Sequence, residues 1–144
     1  MKFEFSAGGI VYKKNGGIKI LVSQHSQHHG WVFPKGLIGD NPSAGSGQGK
    51  ETKEQAAVRE VKEETGIEAE IEKALAPVTY WYVFKNEKIK KTVYYYLMRF
   101  IGGDTSEHDH EMESVEWIDL ETVEKRLTYP SDKKVWKEAQ ELIK

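Results

Sequence analysis

Residues 51–67 read ETKEQAAVREVKEETGI, and the folding of this stretch decides how the rest of the chain must be arranged. At 100° per residue, a helix through it gathers Glu60, Glu63 and Glu64 on one face, with the small Ala56 among them. Like charges three and four residues apart on a helix repel by roughly 0.2–0.5 kcal/mol per pair. Arg59, four residues before Glu63, offsets part of that repulsion, and a divalent cation is the natural missing partner of the rest. Thr52 and Gln55 have the spacing of a capping box, and Gly66 stands where a left-handed C-terminal cap belongs. Ala57, Val58 and Val61 form an apolar underside to pack on a sheet. Three glutamates alone also fit a plain solvated face, so the surroundings must decide.

On the N-terminal side, residues 3–12 and 18–24 are β-rich runs joined by Lys13-Lys14-Asn15-Gly16-Gly17, which predicts an antiparallel pair. Gly8 and Gly9 interrupt the first run, marking either a bulge or a close backbone approach. HSQHHG at 25–30 is a polar loop, and Trp31-Val32-Phe33 is a short apolar segment stopped by Pro34. Residues 35–50, KGLIGDNPSAGSGQGK, read as loop throughout. On the C-terminal side, 67–75, 78–84 and 89–100 are predicted strands, with Lys85-Asn86-Glu87-Lys88 as a hairpin turn between the last two. A short strand at 114–118 and helices at 119–127 and 131–143 complete the chain. The last helix carries Val135, Trp136, Ala139, Leu142 and Ile143 at helical spacing. The sum is an α+β domain, a mixed sheet with helices on its faces.

A chain of 144 residues is expected to make one domain. Its 21 basic and 23 acidic side chains leave a net charge of −2, which gives no general attraction to nucleic acid or to an anionic bilayer. A phosphate-bearing ligand must therefore be held by local groups and metal, which points to a small molecule. The absence of cysteine excludes a disulfide framework and a thiolate metal site. With no apolar run of signal-peptide or membrane-span length, a cytoplasmic location is expected. The oligomeric state is not readable.

Other phosphate and metal motifs fail. The run from Ala44 to Glu51 has a P-loop outline, but Ala44 takes the first glycine position and Glu51 stands where a Ser or Thr must bind magnesium. The histidines at 25, 28, 29, 108 and 110 show no metal-ligand spacing and read as loop residues, with phosphate contact by the first three as the lesser reading. Tyr80-Trp81-Tyr82 and Tyr94-Tyr95-Tyr96 are core formers first, yet alternation along a strand sends neighbours to opposite faces, so some rings must leave the core.

Arg59-Glu60-Val61-Lys62-Glu63-Glu64-Thr65-Gly66-Ile67, with Glu51 eight positions before Arg59, resembles the Nudix box, G-x5-E-x7-R-E-U-x-E-E-x-G-U. The family usually has Pro-Lys-Gly at the opening glycine. Trp31 to Gly36, WVFPKG, is therefore similar to the true start, with 37–50 as an inserted glycine-rich loop in a single domain spanning 1–144. Within the family the likeness is closest to bacterial and archaeal diadenosine polyphosphate hydrolases. It implies an α/β/α sandwich with the catalytic helix on one face of a mixed sheet and C-terminal helices. It implies Mg²⁺, or Mn²⁺ in its place, held by Glu60, Glu63 and Glu64 with the Gly36 carbonyl, and Arg59 orienting the glutamates. Glu111, six residues before Trp117, sits where relatives place a further acidic ligand or base.

The expected reaction is Mg²⁺-dependent hydrolysis of a nucleoside diphosphate linked to another group, with diadenosine tetraphosphate giving ATP and AMP. Lys35 would stabilise developing charge, and Tyr80, Tyr82 or Tyr129 would stack an adenine. The alternatives are a Nudix enzyme for a nucleoside triphosphate, ADP-ribose or a 5′-capped RNA end, and a non-catalytic nucleotide-binding module on the same fold.

Overall fold

The computed structural model describes residues 1–39 and 51–143. The chain runs β1 (Lys2–Lys14), β2 (Ile18–His25), β3 (Trp31–Val32), β4 (Lys35–Leu37), α1 (Lys53–Thr65), β5 (Ile67–Ala74), β6 (Val78–Phe84), β7 (Glu87–Gly103), β8 (Met112–Asp119), α2 (Val123–Arg126) and α3 (Pro130–Ile143). All eight strands join one mixed sheet with the order β3-β2-β1-β7-β5, to which β4 adds on β1, β6 on β7 and β8 on β2. Its spine is the parallel pair β1 and β7, running from Lys2 opposite Ile89 to Tyr12 opposite Arg99. The other pairings are antiparallel. β7 is long enough to carry β6 along its first half and β5 along its second. Lys85 and Asn86 both have positive φ, 50° and 63°, which is the two-residue turn that matches strand twist in a hairpin.

Strand alternation divides the core between the two faces. Ala7, Val11, Leu21, Tyr96 and Met98 pack against Ala56, Ala57 and Val61 of α1. Ile10, Ile20, Val22, Val93, Tyr95 and Leu97 pack on the other face against Val123, Leu127, Val135, Trp136 and Ala139 from the C-terminal helices. The result is an α/β/α sandwich. Gly9 explains the close seat of α1, because a Cβ there would lie 2.6 Å from the Met98 sulfur and 3.0 Å from Val61. Of the two readings of Gly8 and Gly9, close approach holds, and β1 runs unbroken.

The predicted caps of α1 are present. The Thr52 side chain accepts the Gln55 N–H at 3.0 Å, the Gln55 side chain accepts the Thr52 N–H at 3.0 Å, and Gly66 has φ 78°. The helix is rotated from its expected setting: Ala57, Val61, Glu64 and Thr65, at i, i+4, i+7 and i+8, are buried, and so is Ala56, whereas Val58 is exposed. Ala56 therefore belongs to the packed underside, and Glu64 turns in toward the sheet.

Residues 35–37 are not loop. They form β4, with Gly8 opposite Lys35 and Ser6 opposite Leu37. A Cβ on Gly8 would lie 2.2 Å from the Pro34 carbonyl oxygen, so a bare glycine backbone is what admits this strand. Glycine-rich composition concealed it. The rest of the expected insertion, 40–50, lies outside the described residues. The helix expected at 119–127 is a 3₁₀ turn, Leu120–Thr122, followed by the single turn of α2. Leu142, expected on the apolar stripe of α3, is exposed, while Val135, Trp136, Ala139 and Ile143 are buried. Among the described residues no helix is long and apolar enough to cross a membrane.

Candidate active site

The rotation of α1 places its three glutamates at three depths. Glu64 is 9% exposed and accepts the Lys35 N–H at 3.3 Å. Burial pushes its carboxyl up to about 8, against the pull of Lys35, and the negative charges of Glu60 and Asp109 add to the rise. Glu60 lies over the backbone of β4. A Cβ on Gly36 would stand 1.9 Å from its Oε2, so the Glu60 carboxylate holds this position only over a bare glycine. Burial likewise raises Glu60 to about 7, opposed by Arg59. Glu63, at the outer end, is 53% exposed.

Arg59 ties these groups together. Its Nε and Nη2 both donate to Glu51, the latter at 2.7 Å, its Nη1 reaches Glu63 at 3.1 Å and Glu60 at 3.3 Å, and its Nη2 donates to the Leu37 carbonyl at 3.2 Å. The Glu51 side chain is almost wholly buried, and its hydrogen bonds to Arg59 hold its carboxyl below the usual range. One guanidinium thus joins Glu51, two residues before α1, two glutamates of α1 and the end of β4, the fork geometry at which Arg excels.

The donor set fits a hard divalent cation. Two carboxylates raised by burial lie beside a glycine backbone that admits close approach, and bound positive charge would remove the cost of ionising them. Among the described residues no group of three or more His, Asp or Glu side chains is arranged to hold a metal ion by itself. Mg²⁺ takes the balance of its ligands from water and phosphate, so an incomplete protein set is what it uses.

Beside this edge opens a cleft of about 1010 Å³. Lys35, Lys91 and Glu64 line it, with Tyr80, Tyr82 and Phe84 from β6, His28 from the loop after β2 and Tyr129 from the segment before α3. Strand alternation puts Tyr80 and Tyr82 into the cleft and Trp81 out of it. The Tyr129 hydroxyl lies 2.9 Å from His28 Nδ1, which also accepts the Gly30 N–H at 3.0 Å, so the ring proton sits on Nε2. Burial, with the nearby His25, Lys35 and His29, lowers the His28 pKa. Burial also lowers that of Lys91, with Lys35 as the next cause. Asp132, which accepts from the Tyr95 hydroxyl at 3.2 Å, is raised by burial.

Of the residues singled out from sequence, Lys35, Glu64, Tyr80, Tyr82 and Tyr129 line this one cleft. Gly36, Arg59 and Glu60 form the adjoining edge. The backbone of Glu111 is tied to the 25–30 loop, its carbonyl accepting from the Ser26 N–H at 3.0 Å and hydroxyl at 2.9 Å, while its side chain is exposed and outside the cleft lining. Asp109, two residues earlier, is the acid whose charge reaches Glu64. Sequence reasoning passed over Asp109, Lys91 and Asp132. Lys91 was within reach, because it pairs directly with Tyr80 and so shares its face.

The NUDIX domain family matches residues 2–139. The chain belongs to the Nudix family. This Nudix chain is 35% identical over 147 residues to putative mutator protein MutT4 of Mycobacterium tuberculosis, an alignment covering 97% of this chain and 56% of that protein. It is 30% identical over 140 residues to the 8-oxo-(d)GTP phosphatase of Mycolicibacterium smegmatis, covering 90% of this chain and 39% of that protein. The Nudix chain therefore spans about half the length, or less, of these two relatives. With the asymmetrical bis(5′-nucleosyl)-tetraphosphatase of Caenorhabditis elegans it shares 33% identity over 128 residues, covering 86% of this chain and 85% of that protein. The fold is that of the solved C. elegans Ap4A hydrolase binary complex, with a TM-score of 0.71, 28% identity and 97% of each chain covered. The Nudix family generally uses divalent metal ions such as Mg²⁺.

Proposed function

We propose that this Nudix chain hydrolyses a phosphoanhydride in a nucleoside diphosphate linked to another moiety, with diadenosine tetraphosphate, cleaved to ATP and AMP, as the substrate. The observation that carries this reading is the composition of the cleft. Its aromatic lining residues, Tyr80, Tyr82 and Tyr129, offer stacking surfaces for adenine, while Lys35 and Lys91 offer positive charge to a polyphosphate near Glu64. The named C. elegans relative, matched over most of both chains, supports the substrate.

Glu60, Glu63 and Glu64, with the Gly36 carbonyl and with Glu111 as a further acidic candidate, would hold Mg²⁺ or Mn²⁺, which when bound neutralises phosphate charge and lowers the pKa of water. Arg59 keeps the glutamates in place through its bonds to Glu51, Glu60 and Glu63. Glu60 or Glu111 accepts a proton from the attacking water as its oxygen bonds to phosphorus and the bridging P–O bond breaks. Lys35 and Lys91, both lining the cleft, would stabilise the charge that develops on the phosphate oxygens.

Incubation with Mg²⁺ and a panel of diadenosine tetraphosphate, nucleoside triphosphates including 8-oxo-dGTP, ADP-ribose and 5′-triphosphorylated RNA, with chromatography of the products, tests the proposal. ATP and AMP in equal amounts are expected from the first, and no cleavage of it would overturn the assignment. Nucleoside triphosphate hydrolysis is the second reading, supported by the printed names of the two mycobacterial relatives. Tight nucleotide binding without turnover in any divalent metal would instead favour a binding module.

A further inference from the structure

Strand β6 is left open on one side. Among the described residues it pairs with β7 alone, in an unbroken register from Val78 opposite Val93 to Phe84 opposite Glu87. The two-residue turn at Lys85 and Asn86 makes Phe84 and Glu87 the hydrogen-bonded pair that closes the hairpin. By alternation, Tyr82 and Tyr80 also exchange bonds with β7, and the N–H and C=O groups of Thr79, Trp81 and Val83 point to the open side. Natural sheet edges are protected by charge, proline, a bulge or shortness. The seven residues VTYWYVF contain no charge, proline or bulge, and Trp81 and Val83 are 47% and 69% exposed.

We propose that this edge pairs with β6 of a second copy of this chain, antiparallel about a two-fold axis at Trp81, so that one sheet continues across both chains. The edge is self-complementary. Trp81 falls opposite Trp81 of the partner subunit, Thr79 opposite the partner's Val83, and every outward N–H finds a carbonyl. β6 itself carries no charged residue, so its register sets no charged side chain of the strand directly opposite another. The nearest cations select this geometry over face-to-face stacking. The Lys88 and Lys90 ammonium groups lie 4.7 and 5.7 Å from the Trp81 ring centroid, on the face opposite the cleft, and two copies stacked through that face would oppose them. On the other face the same register sets the partner's Tyr80 beside Tyr82 and the partner's Tyr82 beside Tyr80. Each copy thereby extends the aromatic wall of the other's cleft.

Light scattering and sedimentation over a rising concentration series should show the mass moving toward twice the 16.5 kDa of one chain. Val83→Pro removes an outward N–H without touching the ladder to β7, and edge strands tolerate proline. Trp81→Lys opposes two cations across the axis. Both variants should keep the wild-type circular dichroism and halve the mass. If the proline variant fails to fold, the lysine variant carries the test. Amide exchange supplies a second readout, since the Thr79, Trp81 and Val83 amides should become slow as the wild type associates. A monomer at every concentration, folded variants that still associate, or association that leaves those three amides unprotected would each overturn the proposal.

Discussion

Glu64 shows how much depends on the depth of one side chain. Substitution by Gln keeps its volume and its bond from the Lys35 N–H, so the fold should survive while turnover falls by about two orders of magnitude or more. Steady-state kinetics beside a melting curve will separate the two effects, and near-normal turnover would remove Glu64 from the proposed metal site. Stability carries a further signature. Burial raises Glu64 to about 8 and Glu60 to about 7, from an ordinary 4.5, so both bind a proton more tightly in the folded state. Their sign is therefore opposite to that of a salt-bridged carboxylate: stability is greatest below the unfolded value and is lost progressively as pH rises from about 4.5 to about 8. In chelator the melting temperature should fall over that window, and Glu64→Gln should flatten the fall. Gly36→Ala tests the neighbouring contact. A Cβ overlapping the Glu60 carboxylate must displace that flexible side chain, so turnover and Mg²⁺ affinity should fall together with little change in the melting temperature. This crowding was not legible in the sequence, because it depends on a strand that composition hid.

At the scale of the helix, local signals were sufficient. The Thr52 and Gln55 pair and Gly66 act within a single turn of chain, so α1 and both of its ends were readable from residues 51–67 alone. Thr52→Ala should cost about 1 kcal/mol and lower the melting temperature by a few degrees, leaving turnover at low temperature near wild type. A calorimetric scan will check it. The orientation of α1 was legible only in part. The sequence pointed to Val58 on the packed side, but the seat of the helix is set by Gly9 and Met98 on strands far away in the chain. Glu51 illustrates the same limit: its spacing to Arg59 was visible, but its burial depends on Arg59 reaching back from α1. Tyr80 and Tyr82 were legible as a pair because alternation is local, whereas Lys91 needed the register of β6 on β7.

At the scale of the molecule, the site draws on distant parts of the chain: the N-terminal strand, the turn at Pro34, α1, the β6–β7 hairpin, and the start of α3. Addition of Mg²⁺ should raise the melting temperature in a concentration-dependent way, by mass action on the folded state, and Glu64→Gln should weaken that rise even where turnover cannot be measured. Thermal melts over a magnesium series provide the readout. The overall layering was legible because each strand and helix has its own period and punctuation. The sheet order was not, because it rests on one pairing between two segments far apart in the chain.

That pairing, β1 against β7 in parallel, has a consequence for how the molecule comes into being. Hairpins and helices form from neighbours and need little search, but Lys2 cannot meet Ile89 until nearly all the intervening chain has been gathered in. Joining such distant segments is the slow entropic step of folding, and both walls of the cleft hang on opposite sides of that seam. A chain emerging from synthesis can therefore possess α1 with all three glutamates and still be inert, because Gly36 and Lys35 reach them only through β1. Recovery of the proposed activity after denaturation should therefore report on completed sheet topology and not on regained helix alone.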